Sequence, residues 1–226
     1  MGLAPIGFEM ATPYVQNGLQ LYFDYGIKEC YVGTGTTLND LSGNNVTGMG
    51  LTNSPSYSNG FITFNGTNQY VSDFNYGTKF TGSTFSYVGI LTPSSTKGNY
   101  MNLMDTVNSI NPMVWFTSAV KIEIDQASCF TSPLSYSGGT YQVCFTHSNT
   151  TGIGAKLYVN GQYIGGNTAA QGSIANNAVL NLYRRASSGT LNYKGSAANL
   201  MLYNKVLSQD EVTQNYLAFK NRFSIW

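Results

Sequence analysis

The chain has 226 residues, enough for one domain with a full core, and only 9% of them are charged, against about a quarter in ordinary domains. The formal net charge is +1 with no block of like charge, which gives no electrostatic footprint for nucleic acid or an anionic membrane. Mean hydropathy is −0.13 and no apolar run approaches the roughly 20 residues of a membrane span, so the polar surface must be built from Asn, Ser, Thr and Gly.

Residues 1–17 carry Pro5, Glu9 and Pro13 and lack a basic region ahead of an apolar core. They do not read as a secretory signal, and synthesis in the cytoplasm is expected. They show no clear periodicity and read as an arm, followed by a single domain over 18–226. Ile6, Phe8 and Met10 are apolar side chains on a segment without its own core, and they need a surface to bury against. That surface is either the domain itself or a partner. Proline opposes central-strand pairing, so the arm is expected to run extended.

Gly18-Leu19-Gln20-Leu21-Tyr22-Phe23-Asp24 is the first strand. Gly33 to Asn45 reads as loop and turn, and its Gly-Thr-Gly-Thr run lacks the Gly-Lys-Ser/Thr ending of a phosphate loop. Phe61-Ile62-Thr63-Phe64 and Gln69-Tyr70-Val71, joined by a turn at Asn65-Gly66, read as a short pair of strands. In Phe85-Ser86-Tyr87-Val88-Gly89-Ile90-Leu91 apolar residues fall on both faces, the pattern of a central strand covered on two sides. Tyr100 to Asp105 and Met113 to Thr117 flank a loop over 106–112. Val120, Ile122 and Ile124 alternate with Lys121, Glu123 and Asp125, a half-exposed strand, and Tyr141, Val143 and Phe145 repeat that pattern.

Leu157-Tyr158-Val159, Asn160-Gly161, Gln162-Tyr163-Ile164 is a hairpin, because Asn-Gly supplies the two positive-φ residues of a type I′ turn. Val179 to Tyr183 is one more strand, and Arg184-Arg185 after it reads as a solubilising rim pair. In residues 198–203, Leu200 and Leu202 point to one side, Met201 and Tyr203 to the other. Ser208 and Glu211 then form a capping box, Leu207 and Val212 a hydrophobic staple, and Val212, Tyr216 and Phe219 a helical stripe. This is the one convincing helix, expected near residues 208–220. Many short strands separated by turn signals imply a sandwich or barrel with the helix laid against it.

Cys30, Cys129 and Cys144 cannot all pair with one another and show no CxxC spacing, which argues against a disulfide framework or a zinc site. Cys144 is expected as a small buried residue. His147 is the sole histidine, so a catalytic triad would rest on it alone; a strand-end histidine is the expected reading. The aromatic-rich middle brings rings and polar groups together, which makes Tyr100, Asp105, Asn108 and Trp115 the candidate ligand-binding residues. A core position for Trp115 is the competing reading.

Four pieces follow one another in a recognisable order. They are residues 18–24 with Thr36-Thr37-Leu38-Asn39-Asp40-Leu41-Ser42-Gly43-Asn44, then Ile62-Thr63-Phe64-Asn65-Gly66-Thr67-Asn68-Gln69-Tyr70-Val71, then Lys156-Leu157-Tyr158-Val159-Asn160-Gly161-Gln162, and last the run 202–212. Together they resemble the concanavalin A-like, laminin-G-like jelly-roll family over roughly residues 18–223. The resemblance implies an all-β, two-sheet antiparallel jelly-roll sandwich with one short C-terminal helix. Phe219-Lys220-Asn221-Arg222-Phe223 looks like endings found in tailed-phage structural proteins.

Where calcium-binding members of that family place rim carboxylates, this chain has Asn65, Asn68 and Ala198-Asn199. Calcium favours oxygen shells that include carboxylates, so no metal or other cofactor is expected. Asp24, Asp40 and Asp105 are the carboxylates that calcium could still use, although lone rim aspartates usually serve turns. Glu123-Ile124-Asp125-Gln126-Ala127-Ser128 resembles the first half of the Glu-x-Asp-x-x-Glu motif of glycoside hydrolases of this fold. Its final acid is missing, so no acid–base pair is complete and no enzyme is expected.

The resemblance implies a non-enzymatic virion structural protein: a phage capsid decoration or a tail- or fibre-associated module. Its expected partners are other virion proteins and cell-surface polysaccharide, with no nucleic acid or membrane, and it is expected as a homo-oligomer or bound to a lattice. An amide- and hydroxyl-rich surface with 14% aromatic residues suits sugars, on which rings stack and amides hydrogen-bond. It also suits packing within a capsid. The alternative is a bacterial carbohydrate-binding module or a catalytically degraded glycoside hydrolase.

Overall fold

The computed structural model describes residues 13–75, 84–94, 101–107, 113–116, 122–125, 130–136, 138–170, 179–185 and 191–225. In chain order the strands are β1 (Leu19–Asp24), β2 (Leu51–Thr52), β3 (Ser56–Ser58), β4 (Phe61–Asn65), β5 (Tyr70–Asn75), β6 (Thr84–Pro93), β7 (Met101–Val107) and β8 (Met113–Phe116). There follow β9 (Ile122–Asp125), β10 (Phe130–Thr131), β11 (Tyr141–Ser148), β12 (Ala155–Val159), β13 (Gln162–Asn167), β14 (Val179–Leu182), β15 (Lys194–Tyr203) and the helix α1 (Gln209–Phe223). The first sheet runs β13-β12-β11-β6-β15-β4-β3, with β1 also paired to β15; the second runs β10-β9-β8-β7-β14-β5-β2. This is the expected two-sheet antiparallel sandwich with one C-terminal helix.

The faces of β15 decide the layering. Leu200 and Leu202 enter the core between the sheets, with Phe23, Phe85, Tyr87 and Phe145 of the first sheet and Val71, Phe116 and Leu182 of the second. Ala198, Met201 and Tyr203 point the other way, into a second core beneath α1 with Val88, Ile90, Cys144, Val212 and Phe219. A bulge falls between Ala197 and Asn199 where β15 pairs with β6, and there the Asn199 side chain accepts from the Ile90 N–H at 3.1 Å. As its two-faced apolar pattern predicts, β6 lies between β11 and β15 and feeds both cores.

α1 begins where the capping residues place it. Ser208 accepts from the Glu211 N–H while the Glu211 carboxylate accepts from the Ser208 N–H, and Ser224 in the left-handed conformation closes the other end. Leu207 and Val212 are both buried in the second core, the staple expected of them. Burying Val212 and Phe219 contributes about 2 kcal/mol each. The buried row also takes in Asn215, which the apolar stripe passed over. Its amide oxygen accepts from the Val15 N–H at 2.9 Å, and its amide nitrogen donates to the Tyr203 hydroxyl at 3.2 Å. Residues 13–17 thereby lie on the helix, with the Gln214 side chain donating to the Pro13 carbonyl. Ile6, Phe8 and Met10 lie outside the described residues.

Two local readings are corrected. Residues 61–64 and 69–71 do not pair with each other: β4 joins β3 and β15 in the first sheet, β5 joins β2 and β14 in the second. The turn between them is a crossing from sheet to sheet. Asn65 makes it, its side-chain oxygen accepting from the N–H groups of Thr67 and Asn68. The other correction concerns β11, whose second face is covered as well: Gln142 and Thr146 are buried on either side of Cys144, which is buried as expected and packs in the core beneath α1. The Asn160-Gly161 hairpin stands as expected, both residues at positive φ (48° and 77°) between β12 and β13.

Candidate functional site

α1 packs on the first sheet and, among the described residues, not on the second. Phe116 on β8 and Leu182 on β14 are fully buried between the sheets. By the two-residue period of a strand, positions 115 and 181 therefore belong to the opposite face, where Asn181 is itself fully buried, its side-chain oxygen accepting from Arg184. Trp115 stands opposite Asn102 on β7 and Glu123 on β9, and Asp105 stands opposite Asn181 on β14. Of the four candidate ligand residues, the fold thus brings the Asp105 and Trp115 positions onto one face of adjacent strands. It adds to them the Glu123 and Asp125 positions of the half-motif, on the next strand. Tyr100 and Asn108 lie outside the described residues.

One part of this face was missed in the sequence. The chain leaves β14 through Tyr183, held in the left-handed region at φ 65°, a conformation that costs a bulky residue about 1–3 kcal/mol. Beyond this turn Arg184 reaches back, its Nε donating to the Asn181 side-chain oxygen at 3.1 Å and its guanidinium lying 4.1 Å from the centre of the Tyr70 ring. Arg184 is therefore a stacked, hydrogen-bonded part of the face and not a freely solvated rim charge. The signal was Tyr70 beside the inward-facing Val71, which puts a ring on the outside of β5.

The carboxylates weighed as calcium ligands are engaged otherwise. Asp24 is fully buried and holds Arg222 through two contacts of 2.5 and 2.7 Å, while accepting from the Tyr22 hydroxyl and the Gly26 N–H. Burial, then the Asp24 charge beside it, raises the Tyr22 phenol well above its ordinary range. The Asp40 carboxylate accepts from the N–H groups of Tyr22, Ser42 and Val46 and from the Ser42 hydroxyl. Asp105 is placed only by its register. Among the described residues no group of three or more His, Cys, Asp or Glu side chains could hold a metal ion.

His147 is buried, its ring 4.8 Å from that of Phe85. Cys30 and Cys144 are buried free thiols; burial pushes Cys30 up to about 12 and Cys144 higher still, so neither supplies thiolate at neutral pH. Cys129 lies outside the described residues.

Residues 65–213, well over half of the chain, match the family model of the concanavalin A-like lectin/glucanases superfamily. The matched span starts at Asn65, so the opening pieces, residues 18–24 and 36–44, lie ahead of it. No curated protein matches the chain by sequence. Among solved structures, a Trypanosoma rangeli sialidase in complex with sialic acid aligns at 16% identity with a TM-score of 0.69, over 96% of this chain and 35% of that one. Domain 4 of an extracellular arabinanase from Geobacillus stearothermophilus, in complex with arabinotriose, aligns at 16% identity and TM-score 0.63, over 88% of this chain and 98% of that one. The receptor-binding domain of a botulinum neurotoxin mosaic serotype C/D aligns at 12% identity and TM-score 0.64, over 89% and 51%. The chain spans about a third of the sialidase's length. At these identities the likeness is one of fold.

Proposed function

We propose that this chain, which belongs to the concanavalin A-like lectin/glucanases superfamily, is a non-enzymatic carbohydrate-binding module carried on a virion. The observation that carries the sugar-binding part is the outer face of the second sheet. There the Trp115 position stands in register with Asn102 and Glu123, with the Asp105 position on the neighbouring strand, while α1 covers the other sheet. An aromatic residue among amide and carboxylate residues is the composition that sugars need, a ring for their C–H faces and paired acceptors and donors for their hydroxyls. The arabinanase domain, of which the alignment spans 98% and which was solved with arabinotriose, supports the same chemistry. Binding to a glycan array is expected, with loss of the signal in Trp115→Ala. Unchanged binding by that variant, folded by circular dichroism, rules the face out.

The absence of catalysis is part of the proposal. The Glu123 and Asp125 positions stand on one strand without the third acid of the motif, and His147 lies buried against Phe85. No hydrolysis of β-glucans is expected; turnover that disappears in Glu123→Gln overturns this. The virion part rests on the resemblance of residues 219–223 to phage endings and on the apolar arm with Ile6, Phe8 and Met10. It implies virion partners, a lattice or homo-oligomeric setting and no resident metal or cofactor. Deleting residues 2–17 is the test, read as incorporation into particles; full occupancy by the shortened chain removes the arm as anchor. A second reading, a bacterial carbohydrate-binding module, is favoured by the near-complete alignment with an arabinanase domain.

A further inference from the structure

A cleft opens at the end of the second sheet opposite to Trp115. Its walls are residues 36–38 and 49–51, tied by the Leu51 N–H to the Thr36 carbonyl (2.7 Å) and the Leu38 N–H to the Met49 carbonyl (3.2 Å). A Cβ at Gly50 would lie 2.8 Å from the Thr36 carbonyl oxygen, so only glycine lets the walls approach this closely. The loop between them is anchored to β1. Asp40 accepts from the Tyr22 N–H at 3.0 Å, and the Asn44 amide donates to the Leu19 and Gln20 carbonyls at 2.9 and 3.2 Å. The result is a preformed cleft of about 630 Å³, within the size range of small-ligand sites, about 300–1,000 Å³.

The lining has a consistent chemistry. Leu38, Met49 and Leu51 are buried and give an apolar floor. Thr36, Thr37, Asn45 and Thr47 are exposed at its rim, and among the described residues their side chains make no hydrogen bond. None of the lining residues is Lys, Arg or His. The one carboxylate, Asp40, has its oxygens taken up by four donors. A phosphate or carboxylate would find no cation here, and a cation would find no free acid. Neutral hydroxyl and amide groups over an apolar floor match a saccharide, which offers hydroxyls at its edge and C–H groups on its face.

The cleft lies on the same side of the second sheet as the Trp115 position, because Ser72 is one residue from Val71, which faces the core. The Ser72 hydroxyl on β5 accepts from the Gly50 N–H at 2.8 Å and lines the cleft. From β8 to β2 there are four strand spacings, roughly 19 Å. We infer that this cleft is a second subsite for a neutral saccharide, the end station of an oligosaccharide that crosses the strands from the Trp115 region. The inference rests on the carbohydrate-binding reading and deepens it: the ligand is a chain, not a single sugar. Occupying both subsites makes the second contact intramolecular, so affinity should climb with chain length.

The test is calorimetric titration of the full chain with di- to hexasaccharides of arabinan, cellulose and mannan. The comparison variant is the double substitution Thr37→Ala with Asn45→Gly. Asn45 already sits at φ 53°, which glycine adopts freely. The expected result is an affinity that rises at least tenfold from the shortest to the longest oligosaccharide in the parent chain and loses that rise in the variant. Amide correlation spectra of the parent chain should shift over residues 36–51 with the longest oligosaccharide. The inference is overturned if Trp115→Ala abolishes binding while the double variant leaves the length dependence intact, or if amides of 36–51 stay unmoved when those of β7 and β8 shift; the carbohydrate reading survives either result. If none of these oligosaccharides and no arrayed glycan binds the parent chain, both fall together.

Discussion

Removing the guanidinium at Arg222 tests how the first strand and the last helix hold each other. Asp24 has no exposed side-chain surface, while 41% of the Arg222 side chain remains accessible. The carboxylate is paired by two contacts of 2.5 and 2.7 Å and keeps two further donors, the Tyr22 hydroxyl at 3.0 Å and the Gly26 N–H at 3.1 Å. Taking away one partner of a buried pair costs about 3–5 kcal/mol, because the other charge stays buried. The two remaining donors and the solvent around Arg222 place Arg222→Met at the lower end, about 3 kcal/mol. For a domain of this size that corresponds to a fall in melting temperature of roughly 6–12 °C. The assay is urea unfolding followed by both tyrosine fluorescence and far-ultraviolet circular dichroism, with coincident transitions as the check on two-state behaviour. Asp24→Asn together with Arg222→Met removes the stranded charge, and the double variant should be more stable than Arg222→Met alone. A loss below about 1 kcal/mol in Arg222→Met, or a double variant less stable than the single one, would refute the reasoning.

Asn215→Ala strands the Val15 N–H and removes a partner of the Tyr203 hydroxyl; a loss of about 2 kcal/mol is expected, with faster hydrogen exchange at Val15, and unchanged exchange there would count against the docking of residues 13–17. At Gly89 a Cβ would lie 2.5 Å from the Tyr87 hydroxyl oxygen, so Gly89→Ala should cost about 1–3 kcal/mol by overpacking; Tyr87→Phe in the same chain should return part of it, and strict additivity of the two would disprove the contact. For Glu211, partial burial opposes the charge, but the Lys205 ammonium at 2.6 Å and the Ser208 N–H outweigh it and hold the carboxyl below its ordinary value. A folded value below the unfolded one contributes stability that is present above the unfolded value, about 4.3, and is lost as pH falls through the folded one. Glu211→Gln should therefore flatten the acid limb of the stability–pH curve, and an identical limb would exclude the capping-box charge as its source.

What the sequence determined is what neighbouring residues can settle among themselves. Ser208 and Glu211 lie three apart and cap a helix whatever surrounds it, Asn160-Gly161 can adopt two positive φ values in isolation, and the alternation of residues 198–203 is a property of one strand. The tertiary structure decided everything that depends on a distant partner. Asn65-Gly66 reads as a hairpin turn locally, yet β4 takes Lys194 opposite Asn65 and leaves β5 to the other sheet. Gln142 and Thr146 look half-exposed in the alternation of their strand, yet both are buried once the chain has folded. Asp24 reads as a rim aspartate until Arg222 reaches it across 198 positions, and Arg184 as a solubiliser until the turn at Tyr183 sets it on Tyr70. The cleft, too, exists only because Asp40 and Asn44 tie their loop to β1. Turn and cap chemistry acts within a few bonds, whereas pairing, burial and charge compensation are set by groups that meet only when the chain closes on itself.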